Sequence, residues 1–154
     1  PVNPYSRPGD KVSKVTAIVV HYVGNPGTTA EQNRSYFNNL AELKNAYASS
    51  HYVVGLQGEI IQCVPLDEIA YASNNRNYDT ISIECCHQDA EGRFTDDTYN
   101  SLVRLVAALC RTYGLNPETD VIRHYDVTGK LCPIYYVNNP DEWYAFKLSV
   151  KNEM

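Results

Sequence analysis

Residues 15–22 read Val-Thr-Ala-Ile-Val-Val-His-Tyr, a β-branched apolar run closed by the breaker Gly24-Asn25-Pro26-Gly27. Such a run suits a strand covered on both faces, and both-face cover demands helices on either side of a sheet. The rest of the chain supplies them. Thr28 or Thr29 is placed to cap a helix carrying Ala30, Phe37, Leu40 and Leu43, with Glu31 in its first turn. Residues 51–56 and 59–64 are strand-like and joined around Gln57-Gly58, which predicts a hairpin. Residues 71–79 are polar and Asn-rich and read as a loop, and residues 80–86 (TISIECC) as another strand. Thr95-Asp96-Asp97 opens a helix in which Tyr99, Leu102, Val103, Val106 and Leu109 recur at helical spacing, and Gly114 stops it. Residues 120–124 (DVIRH) read as a short strand, and Asn139-Pro140 starts a final helix through Trp143 and Phe146. Strands interleaved with helices, plus one hairpin, predict an α/β fold with a central mixed sheet flanked by helices.

The chain has 154 residues, a length that suits one domain over 1–154 with an irregular, Pro/Gly-rich lead-in over 1–14. No stretch approaches the ~20 apolar residues of a membrane span. Pro1-Val2-Asn3-Pro4 does not have the basic and apolar regions of a signal peptide. A net charge of −5 argues against nucleic acid as partner, because phosphate neutralisation dominates such binding. Five cysteines, two of them adjacent, do not form the pattern of a disulfide framework and read mostly as buried thiols.

Three residues stand apart. His21 ends the first strand, His124 ends the short strand VIRH, and Cys132 lies in Gly129-Lys130-Leu131-Cys132-Pro133. Imidazole nitrogen and thiolate sulfur both suit Zn²⁺, and three protein ligands leave a tetrahedral position open, as in catalytic rather than structural sites. The seven residues between His124 and Cys132 are enough for a loop to fold back. Taken singly, a histidine at a strand end is more often structural, and a lone cysteine more often a small buried hydrophobe. Glu84 adds a fourth feature. Alternation puts Ile81, Ile83 and Cys85 on one face of the strand and Ser82, Glu84 and Cys86 on the other. A carboxylate in an apolar strand is costly unless used, so Glu84 is either a general base or an edge residue facing solvent. Lys130, two residues before Cys132, is either an oxyanion stabiliser or a solvated surface lysine.

The segments IVVHYVGNPGTTAEQN, SSHYVVGLQGEIIQCVPLDEIAY, TISIECC and VIRHYDVTGKLCP together resemble type 2 N-acetylmuramoyl-L-alanine amidases, above all endolysin and autolysin catalytic domains. The likeness covers about residues 15–133. It implies a peptidoglycan recognition protein-like amidase fold and a Zn²⁺ cofactor held by His21, His124 and Cys132. It also implies catalytic roles for Glu84 and Lys130, and peptidoglycan, glycan strand and stem peptide together, as partner. Two departures stand out: Ser50 occupies the position of a catalytic tyrosine in phage lysozyme-like members, and Tyr71-Ala72-Ser73 replaces a His-Ala-Gly sequence. His51 is expected to be structural or part of a groove wall, and His87 to face away from the ligands. The competing readings are a non-catalytic peptidoglycan-binding module and a structural-zinc or plain α/β interaction domain. The resemblance leaves room for a cell-wall-binding domain outside this chain. It fits either release from the cytoplasm at lysis or secretion.

Overall fold

A computed structural model describes residues 2–154; Pro1, the first residue of the expected lead-in, lies outside the described residues. The apolar run forms strand β1 (Ala17–Tyr22), buried along nearly its whole length. The capping threonine is Thr29: its hydroxyl accepts from the Gln32 amide while Gln32 reaches back to the Thr29 amide, and helix α1 (Ala30–Leu43) follows. Strands β2 (Tyr52–Val54) and β3 (Ile60–Gln62) pair as the expected antiparallel hairpin. Strand β4 (Thr80–Cys85) follows, then helix α2 (Asp96–Tyr113), capped by Thr95 and stopped by Gly114 at φ 65°. Short helix α3 (Pro117–Asp120) leads into β5 (Val121–Arg123). Helices α4 (His124–Thr128), α5 (Ile134–Asn138) and α6 (Pro140–Glu153) complete the order.

Among the described residues the strands form one mixed sheet, β3-β2-β4-β1-β5, parallel except for the hairpin edge strand β3. Its two faces divide the labour. Ile18, Val20, Ile81, Ile83, Cys85, Val54 and Val121 pack against Leu102, Val106 and Cys110 of α2 and Trp143, Phe146 and Val150 of α6. The other face carries a smaller cluster of Ala30, Val53 and Cys86 beneath Phe37 of α1. That thinner cover leaves the C-terminal ends of the central strands accessible from one side.

Two local differences from the sequence reading have physical causes. Residues 120–124 were expected to form a strand ending at His124; the strand stops at Arg123, and His124 begins a helix. The stop comes from Asp126, which accepts from the Arg123 amide at 2.9 Å and from Nε and Nη2 of its guanidinium. Within the expected loop over 71–79, Asn74–Asp79 winds into a 3₁₀ turn. Arg76 locks it by a forked contact to Asp79 at 2.9 and 3.0 Å. The lead-in is irregular, as expected, but fastened: Arg7 forks onto Glu68 at 2.9 and 2.8 Å, and Tyr5 stacks on Tyr47.

Candidate metal centre and cleft

Parallel pairing sets His21 directly beside Glu84, and Val20 beside Arg123, so His124 follows at the next level. Glu84, His21 and His124 therefore line up across the carboxyl ends of β4, β1 and β5, where open α/β sheets place their sites. Cys132 arrives from the loop after α4. Gly129, at φ 83°, ends that helix, and the Tyr125 amide donates to the Cys132 carbonyl at 3.0 Å, folding the loop back onto the histidines.

One ligand atom each from His21, His124 and Cys132 lies within 4.8 Å of the others, and all three residues are buried. Cys132 Sγ is 3.7 Å from His21 Nδ1, and the imidazole rings meet edge to face at 4.7 Å. Each histidine uses its outer nitrogen elsewhere: His21 Nε2 lies 3.3 Å from Ser82 Oγ, and His124 Nε2 lies 2.8 Å from Asn74 Oδ1. Burial, reinforced by His124 and Lys130, pushes His21 well below the usual histidine range; burial and Lys130 lower His124 as well. Neutral imidazoles are the ligand form. Burial and the nearby Glu84 push the Cys132 thiol up to about 12, against the pull of the Tyr22 carbonyl and Lys130. A divalent cation would release that proton, since coordination favours thiolate.

Glu84 is not on an edge: β4 lies between β2 and β1. Its Oε2 is fully buried and accepts no hydrogen bond among the described residues. Burial pushes the carboxyl up to about 8, and Lys130 pulls the other way. Lys130 is exposed and borders the same cleft. Two imidazoles and a thiol are donors that suit a cation, zinc among them, and the orphaned carboxylate oxygen borders the same cleft. The cleft encloses about 420 Å³, with Glu84 and the three potential ligands at its floor and Tyr47, Tyr71, Phe37 and Asn77 on its walls.

His51 and His87 stand outside this cluster. His51 is buried, with Nε2 2.7 Å from the Glu68 carbonyl and Nδ1 accepting from the Ser82 amide at 3.0 Å. His87 Nε2 accepts from the Gly24 amide at 3.0 Å, and its Nδ1 contacts the Asp89 carbonyl. Ser50 is buried and donates to the Tyr52 carbonyl. All five cysteines are free; Cys63 is half-buried and the other four are buried. Ser73, Asn74, Ser82 and Tyr47 were not singled out from the sequence. Ser82 could have been found, because it shares the Glu84 face, whereas the others reach the site only through loop packing.

Comparison with known proteins identifies the family and the fold. The sequence profile of the family described as N-acetylmuramoyl-L-alanine amidase, Amidase_2, matches residues 11–134, a span that includes both histidines, Glu84 and Cys132. The N-acetylmuramoyl-L-alanine amidase BlyA of Bacillus subtilis (strain 168) is 36% identical over the whole chain, and CwlL of Bacillus licheniformis is 35% identical over 97% of it. This chain covers 46% and 44% of those two proteins, so it spans about half the length of the curated relatives it matches. The solved catalytic domain of XlyA superposes with a TM-score of 0.80 at 26% identity, covering 97% of this chain and 94% of that one. The fold is thus that of amidase catalytic domains. With the profile spanning most of the chain and relatives above 30% identity along its length, the chain belongs to the N-acetylmuramoyl-L-alanine amidase family Amidase_2.

Proposed function

We propose that this chain is a zinc-dependent catalytic unit that hydrolyses the amide between N-acetylmuramic acid and L-alanine in peptidoglycan, and so acts at the bacterial cell wall. The observation that carries the reading is the convergence of His21, His124 and Cys132 within 4.8 Å beside the orphaned Glu84 carboxylate. Family membership supplies the substrate class. Residues 1–154 would act as one domain, and longer relatives leave room for a wall-binding part elsewhere. Among the described residues, no helix is long and apolar enough to cross a membrane.

His21, His124 and Cys132 would hold the metal. Bound there, zinc would supply Lewis-acid activation of water and of the scissile carbonyl. Glu84 lines the cleft beside His21, so as a carboxylate it can take the proton shed as water adds to the amide carbon. The same carboxyl then returns that proton to the leaving nitrogen as the C–N bond breaks. The products are a lactyl carboxylate on the sugar and the free amine of L-alanine. Lys130 brings positive charge to the cleft and stabilises the oxyanion that develops on the carbonyl.

The test is digestion of purified Gram-positive walls by metal-replete protein, scoring new peptide N-termini and new reducing ends, with a chelated control. Release of N-terminal alanine without reducing ends, lost on chelation and restored by zinc, is the expected result. Bound zinc with no release from several wall types would instead favour a binding module. Cys132→Ala should lose both metal and activity; stoichiometric zinc in that variant would sink the ligand set.

A further inference from the structure

The two histidines are held from behind by adjacent residues of one short segment. Ser73 Oγ lies 3.4 Å from His21 Nε2 and 2.9 Å from Ser82 Oγ, so two hydroxyls share that ring nitrogen. Asn74 Oδ1 lies 2.8 Å from His124 Nε2. An amide oxygen can only accept, so this contact puts the proton on Nε2 and leaves the lone pair on Nδ1. In the sequence the segment reads only as a polar loop, Tyr71-Ala72-Ser73-Asn74-Asn75.

Two further observations show that Asn74 is held in place. Its backbone is left-handed, φ 53°, a conformation shared by Lys44 alone among the described non-glycine residues. Asparagine tolerates that region better than most side chains, but glycine would adopt it more cheaply. The segment is also tied from beneath. Asn77 Oδ1 accepts from the Ala72 and Ser73 amides at 3.1 and 2.7 Å, and the Arg76 amide donates to the Ser73 carbonyl at 2.9 Å. None of these ties involves the Asn74 side chain, which is spent on His124.

We infer that Asn74 is a positioning residue for the metal centre: it fixes the Nε2–H tautomer of His124, while Ser73 and Ser82 orient the His21 ring. His124 then carries its lone pair on Nδ1, and the His21 ring is held with its Nδ1 3.7 Å from Cys132 Sγ. This rests on the reading of the site as a zinc centre. Outer partners of this kind typically change metal affinity by 10–100-fold.

Asn74→Gly removes the acceptor and keeps the left-handed backbone accessible; Asn74→Asp keeps an acceptor. Zinc affinity is measured by chelator competition on the whole chain. Long-range ¹H–¹⁵N spectra report the His124 tautomer in the zinc-free protein, and thermal melts of that form report folding. N74G should weaken zinc by roughly 10–100-fold, lose the fixed Nε2–H signature and melt close to the parent. N74D should recover near-parental affinity. Parental zinc affinity in N74G overturns the inference, whether or not its melting point falls. A parent in which His124 carries its proton on Nδ1 overturns it too. A parent that binds no zinc overturns the metal-centre reading together with this one, whereas a zinc-binding parent with an unaffected N74G overturns this one alone.

Discussion

Glu84 sits on a central strand beside His21, where burial raises its carboxyl to about 8 and Lys130 opposes that rise. The proposed base role requires a group that gains and loses a proton, which an amide cannot do. Glu84→Gln keeps the shape and should keep stoichiometric zinc, while turnover on cell walls falls by roughly 10²–10⁴-fold. Metal analysis and the wall assay check both halves, and normal turnover would refute the base assignment. The role proposed for Lys130 rests on its charge rather than its shape. Lys130→Met keeps an apolar stem and should lower kcat by about 10²-fold or more with zinc content unchanged. A variant with parental kcat would make Lys130 a solvated surface residue.

The Asn74–Asp79 turn behaves as an element because Asp79 closes it. The Asp79 side chain is 10% exposed. Burial raises its pKa, but the Arg76 fork and the Thr16 hydroxyl outweigh that and leave it below the usual range. A depressed folded pKa means stability that is present above the unfolded value and lost as pH falls through the lower folded one. Asp79→Asn should therefore cost roughly 1–3 kcal/mol at neutral pH. The gap to the parent should close as pH falls below about 4. Denaturant midpoints at pH 7 and pH 3 measure it; an equal gap at both values would show that the carboxylate charge contributes nothing.

At the scale of the whole molecule, the sheet separates stability from chemistry. Phe146 is fully buried on the α2–α6 face, packed on Trp143 at 5.3 Å and edge-on to Tyr99 at 5.7 Å. The face that carries His21 and Glu84 lies on the other side of β1 and β4. Phe146→Ala should cost about 3–5 kcal/mol of folding stability while the folded fraction still binds zinc as the parent does. Urea unfolding and zinc titration test the two parts separately. Lost zinc affinity in the folded variant would mean that the two faces are coupled.

The sequence by itself carried whatever is encoded locally. Strand alternation put Glu84 opposite the Ile81–Ile83 face, a cap at Thr28 or Thr29 opened one helix, Thr95 and Gly114 bounded another, and His21, His124 and Cys132 stood out by residue type and position. Those signals need only neighbours a few residues apart. Tertiary structure decided the rest. Strand order turned Glu84 from a possible edge residue into a central one, because exposure depends on which strands flank β4. Parallel register set His21 level with Glu84 although 62 residues separate them in the chain. The Asn74 contact to His124 spans 50 positions and leaves no periodic trace, since a polar loop residue looks the same in sequence whether it faces water or a buried imidazole.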